Sequence, residues 1–310
     1  MKEYDYEKRV MGSEASLSIV ARDRTVADTA ADALFAIAEA EETRFSRFRD
    51  TSELSRLNRE RSLEVSEDFM GALILGRDLY RRSAGIFNPL VDIARFGYDA
   101  DITVVKGTDR TGKKEHIPYN INMETVRIDT EAMTVSLQEG QYLDFGGYMK
   151  GHIAEKMARA ATGCPGVLVN LGGDIYTRGV DAEGKPFVFT IDQPIDSVAE
   201  LSFFGTNTGI ATSGSYNRHW KYHGMPFFHI LDDTGAKNPA TEILSATVIA
   251  QTGAESDAFA TVALILGVEA GGKFLEEKGF EYCFIKDDGG VILSGAFPLI
   301  KRAESYLYAE

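Results

Sequence analysis

Asp257 and Thr261 stand four residues apart in the segment AESDAFAT at 254–261. On a helix that spacing puts both side-chain oxygens on one face, near the first turns. A carboxylate beside a hydroxyl is a hard-oxygen pair suited to Mg²⁺, an ion that also takes waters and substrate phosphates. The same two residues also suit an acid on the helix dipole and a threonine turned to the core. A second segment, LDFGGYMKG at 143–151, opens onto a helix. Its two glycines permit close backbone approach, and a helix start presents amides to an anion. Asp144 and Lys150 add one charge of each sign there. The spacing is neither GxGxxG nor that of a P-loop, and a plain glycine turn accounts for it equally. VNLGGD at 169–174 reads as a strand ending in a tight turn capped by Asp174. GIATSGSY at 209–216 carries three hydroxyls between glycines, suited either to phosphate oxygens or to a polar hairpin loop. His219, His223 and His229 lack the cysteine or HExxH company of a zinc site. His229 is a candidate general base or a hairpin histidine.

The elements that must position these residues follow from periodicity and caps. Residues 15–21 alternate as a strand, and the alanine-rich stretch 26–45 is helical. Ser66 is an N-cap for a helix running toward Gly85. Residues 126–128 and 133–137 read as short strands around a turn, and a helix begins near Tyr148. Strands are expected at 167–171, 187–191 and 245–250. A helix from about Ser256 should end near Gly267, and a second near Gly279. Residues 282–285 and 291–293 flank Asp287-Asp288-Gly289-Gly290, a hairpin signal. The polar stretch between Asp99 and Asn122 reads as a long loop. Helices and strands interleave without regular βαβ units, which predicts α+β, with mixed sheets and packed helices in one domain over 1–310.

The 310 residues hold 33 Lys+Arg against 47 Asp+Glu, a formal charge of −14. That excess of acid argues against a nucleic-acid partner, since polyanions are held by Lys and Arg. A phosphate ligand then needs a metal or local donors to offset the repulsion. Cys164 and Cys283 form no CxxC and no disulfide framework. The N-terminal residues lack the apolar run of a signal peptide, and no uninterrupted apolar stretch approaches membrane-spanning length. A cytoplasmic protein without a transmembrane segment is expected, unless a signal segment was removed.

In order along the chain, these segments resemble the FAD:protein FMN transferase, or ApbE, family. MGS at 11–13 is similar to the family's MGT, and FSRF at 45–48 with SELSRLN at 52–58 to its S-x-F/Y and SELSxLN segment. GIFNP at 85–89 resembles GxFDxT, LDFGGYMKG resembles LDLGGIAKG, and VNLGGD matches as it stands. ATSG at 211–214, His229-Ile230 for the start of HIxDPxTG, and 257–261 for ADALAT complete the series. These matches, in order, span about residues 11 to 267.

The resemblance implies an α+β, T-fold-like protein that binds FAD and Mg²⁺. It implies transfer of the FMN half to a Thr or Ser hydroxyl of a partner flavoprotein, with release of AMP. By motif, Asp257, Thr261 and a backbone oxygen of Gly147 should hold Mg²⁺. Met11, Phe48, Ile86, Phe87, Asn88, Asp144, Lys150 and Ile230 should contact FAD, with Ser213 of ATSG beside them. His229 falls at the family's proposed base. The chain departs from the pattern at Asn88, where Asp is usual. It departs again at 229–235, one residue shorter and without the proline, and at Tyr148-Met149, larger than usual. Two other readings stand beside transfer: hydrolysis of FAD to FMN and AMP, and FAD binding without catalysis.

Overall fold

The computed structural model describes residues 1–111, 120–192, 194–195 and 201–302, so the centre of the polar stretch 99–122 lies outside the described residues. The contacts gather into two compact units. One comprises Met1–Ala38, Lys150–Gly214 and Thr241–Glu310; the other comprises Glu39–Met149 and Ser215–Ala240.

The first unit is built on an eight-stranded sheet. In spatial order its strands are Lys2–Val10, Ser13–Ala21, Gly166–Leu171, Asp174–Gly179, Gly209–Gly214, Ile243–Ala250, Glu281–Lys286 and Val291–Leu293. All neighbours are antiparallel. The helix Gly253–Glu277 packs on the Gly209–Gly214 and Ile243–Ala250 strands. Phe187, Phe189, Leu201 and Phe203, from a separate three-stranded sheet, bury Ile210, Cys283 and Ile285 of the large one. The expected strands at 15–21, 167–171, 187–191 and 245–250 are all present, as is the hairpin across Asp287–Gly290.

Two readings need correction. Gly209–Gly214 is a strand paired with Ile243–Ala250 along its length, not a hairpin loop, so Thr212 and Ser213 point to opposite faces. The stretch 99–122, read as a long loop, carries the short helix Ile102–Val105 and the strand Asp109–Arg110, and Lys2–Val10 pairs residue for residue with Ser13–Ala21 as the large sheet's edge. Charged side chains suit an edge, where they discourage pairing with other chains.

The helix Gly253–Glu277 contains non-helical backbone at Gly267 (φ 77°, ψ −180°), so it is two helical segments meeting where the glycine predicts a stop. Glu242 caps the second segment through the Val268 N–H at 3.1 Å. By length and composition this helix would also pass as a membrane span, although 56% of its apolar window is buried inside the protein. Its start lies three residues earlier than the sequence suggests. Thr252 and Glu255 form a capping box, with the Thr252 hydroxyl donating to Glu255 Oε2 at 2.8 Å.

In the second unit the helix Glu67–Arg82 starts at Ser66, whose hydroxyl accepts from the Phe69 N–H. The rings of Phe45, Phe69 and Phe145 meet within 5.3–5.8 Å. Asn58, on the helix Glu53–Glu60, donates to the Leu143 carbonyl and accepts its N–H, both at 2.8 Å. That pair fixes the segment leading to Asp144. A second core gathers Ile93, Tyr98, Val105, Trp220 and Leu231 beneath the hairpin of His219–Tyr222 and Met225–Phe228. With helices packed beside mainly antiparallel sheets and one parallel pair, Asp109–Arg110 with His219–Tyr222, the fold is α+β with mixed sheets.

Candidate functional site

Asp257 is buried, 5% exposed, in the second turn of the Gly253–Glu277 helix. Its Oδ2 accepts from the N–H of Gly151, in the first turn of the helix Met149–Ala160, at 3.2 Å. One turn further on, Thr261 Oγ1 lies 2.9 Å from Ser213 Oγ on the underlying strand. Asp257 and Thr261 thus stand one turn apart on one helix, as their spacing predicts, and Ser213 meets Thr261. Lys150, at the start of the Met149–Ala160 helix, forms an ion pair with the buried carboxylate of Asp174. Asp174, expected to cap a turn, instead shares the charge of Lys150.

Met11 occupies the two-residue turn between the first strands, with φ 57° and Gly12 at 69°. Such turns favour Asn-Gly or Gly-Gly, and a long side chain at positive φ is uncommon. Turn chemistry does not account for a methionine here.

The remaining expected residues belong to the second unit. Arg47 lies 4.4 Å from the ring centroids of both Phe48 and Tyr98 and donates to the Tyr98 carbonyl at 2.8 Å. Its Nε is 3.5 Å from Asp144 Oδ2, so one guanidinium supports Phe48 and Asp144 together. Phe48 keeps 45% of its surface exposed. Burial, and then the charge of Asp144, push the Asp92 carboxyl above its usual range.

Asn88 Nδ2 donates to the Ile121 carbonyl at 2.7 Å, while Oδ1 accepts from the Leu90 N–H at 3.0 Å. An ionised aspartate could accept but not donate, which gives the Asn88 departure a local physical reason. Phe87 is buried edge-on to Tyr148, and a Cβ added at Gly147 would meet the Phe87 ring at 3.1 Å. Ile86 is partly exposed.

His229 is half-buried and Ile230 buried. Asn238 grips the backbone on either side of the histidine. Its Nδ2 donates to the carbonyls of Phe228 at 2.7 Å and Ile230 at 2.6 Å, and its Oδ1 accepts from the Phe228 N–H. The shortened turn without proline is held by the buried Asp232. This carboxylate accepts from the Thr234 hydroxyl at 2.6 Å and the Ala236 N–H at 3.3 Å.

A buried carboxylate with a hydroxyl is the donor chemistry Mg²⁺ accepts when it keeps waters and substrate phosphates. Among the described residues no group of three or more His, Cys, Asp or Glu converges as a metal cluster. The Asp257 carboxylate and the Thr261 hydroxyl fit an Mg²⁺ that takes its other ligands from water and substrate phosphate. Gly147, the third expected contributor, lies in the second unit.

The sequence profile of the ApbE family matches residues 11–284, most of the chain. The chain belongs to the ApbE family. The FAD:protein FMN transferase of Klebsiella pneumoniae (strain 342) is 24% identical over 297 residues, covering 91% of this chain and 84% of its own. That of Escherichia coli K12 is 24% identical over 286 residues, covering 88% and 80%. The Rhodobacter capsulatus FAD:protein FMN transferase reaches 30% over 74% of this chain and 45% of its own. Among solved structures, the Thermotoga maritima ApbE protein superposes with a TM-score of 0.81 at 21% identity, covering 95% and 97% of the two chains. The Pseudomonas stutzeri flavinyl transferase ApbE, apo form, gives 0.77 at 18%, covering 94% of each. At these identities the superpositions establish the ApbE fold.

Three supporting residues of this ApbE chain escape a reading by motif: Arg47, Asn238 and Glu155, whose carboxylate accepts from the Gly253 N–H at 2.9 Å. Asp174 is read by motif only as a turn cap. Arg47 and Asp174 lie inside quoted motifs, so their polar character was a usable signal. Asn238 carried only the turn-forming chemistry of Asn-Pro, and nothing local marked Glu155.

Proposed function

We propose that this protein transfers the FMN moiety of FAD to a Thr or Ser hydroxyl of a partner flavoprotein, releasing AMP, with Mg²⁺ held by Asp257 and Thr261. Family membership and the activity in its relatives' names support the reaction class. The observation that carries the reading is the buried Asp257 one turn from Thr261, whose hydroxyl is paired with Ser213. When bound, Mg²⁺ supplies Lewis-acid polarisation of a phosphoryl oxygen and offsets charge on the departing phosphate.

The chain's own residues do the rest. Lys150, with its charge shared by Asp174, lends a partly compensated cation to a pyrophosphate entering a protein of net charge −14. Met11, Phe48, Ile86, Phe87, Asn88, Asp144, Ser213 and Ile230 bind and orient FAD, and Phe48 offers the exposed ring surface a flavin would meet. His229, its backbone gripped by Asn238, accepts the acceptor hydroxyl's proton. A P–O bond forms between the acceptor oxygen and the FMN phosphorus as the pyrophosphate P–O bond breaks. AMP leaves with the bridging oxygen, and no covalent enzyme intermediate is required.

Incubation with FAD, Mg²⁺ and a flavoprotein domain, followed by denaturing electrophoresis under ultraviolet light, tests the proposal. Covalent flavin on the domain, lost with a chelator, is the expected result. AMP without adduct would replace transfer by hydrolysis, and intact retained FAD would replace it by binding alone.

A further inference from the structure

The helices Met149–Ala160 and Gly253–Glu277 cap each other. Gly151 in the first donates its N–H to Asp257 of the second, across 106 residues of sequence. In return Gly253 of the second donates its N–H to Glu155 Oε2 of the first at 2.9 Å, across 98 residues. Each helix start thus has an amide satisfied by a carboxylate from the other, where the macrodipole favours negative charge. The crossing is too close for any side chain. A Cβ on Gly151 would sit 2.0 Å from the Gly253 carbonyl oxygen, and one on Gly253 2.0 Å from that of Gly151. Glu155 is itself braced: Arg159 Nε lies 2.7 Å from its Oε1, and Arg159 Nη2 donates to the Tyr176 hydroxyl at 3.1 Å. Only 13% of the Glu155 side chain is exposed.

We infer that Glu155 is a positioning residue for the metal: by holding the Gly253 N–H it fixes the helix start that aims Asp257 and Thr261. The inference rests on the proposed Mg²⁺ role of those two residues. With Glu155 in place, the glycine contact and the Gly151–Asp257 bond lock the second helix against the first. Without it, the first amide of the Gly253–Glu277 helix loses its partner, and the Gly151–Asp257 bond at 3.2 Å no longer has a reciprocal bond beside it. Partners that orient metal ligands typically contribute about 10- to 100-fold in metal affinity.

The test is calorimetric titration of Mg²⁺ into the full chain and its Glu155→Ala, Glu155→Gln and Asp257→Ala variants, with a thermal melt of each without metal. Glu155→Ala is expected to weaken Mg²⁺ by about 10- to 100-fold. Glu155→Gln, whose amide oxygen still accepts from Gly253, should recover most of that loss. If the alanine variant fails to fold, Glu155→Met keeps the stem packed, lacks the acceptor and should show the same loss. A lowered melting temperature with unchanged Mg²⁺ affinity would overturn the inference and leave Glu155 structural. If the unaltered chain binds Mg²⁺ no better than Asp257→Ala, the metal assignment itself fails and the inference falls with it.

Discussion

In the first unit the carboxylates and the lysine around the expected metal site are set by charged partners and helix starts. Asp257 and Glu155 cap facing helices, and Lys150 is paired with Asp174. In the second unit the candidate base is fixed by a neutral side chain, Asn238, which makes three hydrogen bonds to the backbone around His229. The first arrangement serves a helix start, where amides and a macrodipole favour carboxylates. The second serves a loop, which offers donors and acceptors alternately, and a primary amide can satisfy both. Charge loss should therefore be felt most in the first unit, and loss of the amide most in the second.

Asp257→Asn is the most severe break. The amide oxygen still accepts from Gly151, so the fold should survive while the charge is lost. Metal-dependent turnover should fall by several kcal/mol of phosphoryl stabilisation, on the order of 10³-fold. Normal turnover at limiting Mg²⁺ would remove Asp257 from the metal site.

Asn238→Ala comes next. It strands two carbonyls and one N–H, each costing about 1–3 kcal/mol where water cannot replace the partner. We expect kcat to fall about tenfold or more, in line with a misplaced base, with FAD affinity nearly unchanged. Asn238→Asp, which loses both donors but keeps the acceptor, should be intermediate in melting temperature. Equal losses in kcat and FAD affinity would place His229 against the flavin instead.

Met11→Asn should move stability and binding in opposite directions. Asparagine suits positive φ in a two-residue hairpin turn, so the fold should gain up to about 1 kcal/mol. FAD affinity, followed by flavin fluorescence, should fall, because the methionine is retained against turn preference. A stabilised variant with unchanged affinity would leave the methionine unexplained.

The smallest effect concerns Asp92. Its carboxyl is raised in the folded state by burial and by Asp144, so ionisation is disfavoured by folding. The penalty is present at neutral pH and is relieved as pH falls through the folded-state value. Asp92→Asn can still accept from the Ala94 N–H and should raise the melting temperature at pH 7. That gain should fade on acidification through the carboxylate range. A constant difference at every pH would assign the gain to packing.

The sequence by itself determined what short-range chemistry determines. The Ser66 hydroxyl accepts from the Phe69 N–H and satisfies an amide the first turn cannot, so the helix begins after it. Gly267 adopts a φ that other residues avoid, so the helical run breaks there. The four-residue spacing of Asp257 and Thr261 placed both on one face before any neighbour was known. Ordered motifs also carried the family, because close backbone approach and ligand contact demand the same small residues at the same places.

Only the tertiary structure decided who answers those residues. Gly209–Gly214 is a strand because Ile243–Ala250 and the overlying helix bury it, against a composition that reads as a loop. Lys2–Val10 is a strand because Ser13–Ala21 offers an open edge. Lys150 meets Asp174, and Glu155 meets Gly253, because sheet register and a glycine–glycine helix crossing bring distant carboxylates to waiting donors. Local pattern encodes which face a side chain takes. Electrostatic and hydrogen-bond pairing across many residues depends on where separate elements come to rest, and no window of sequence contains that distance.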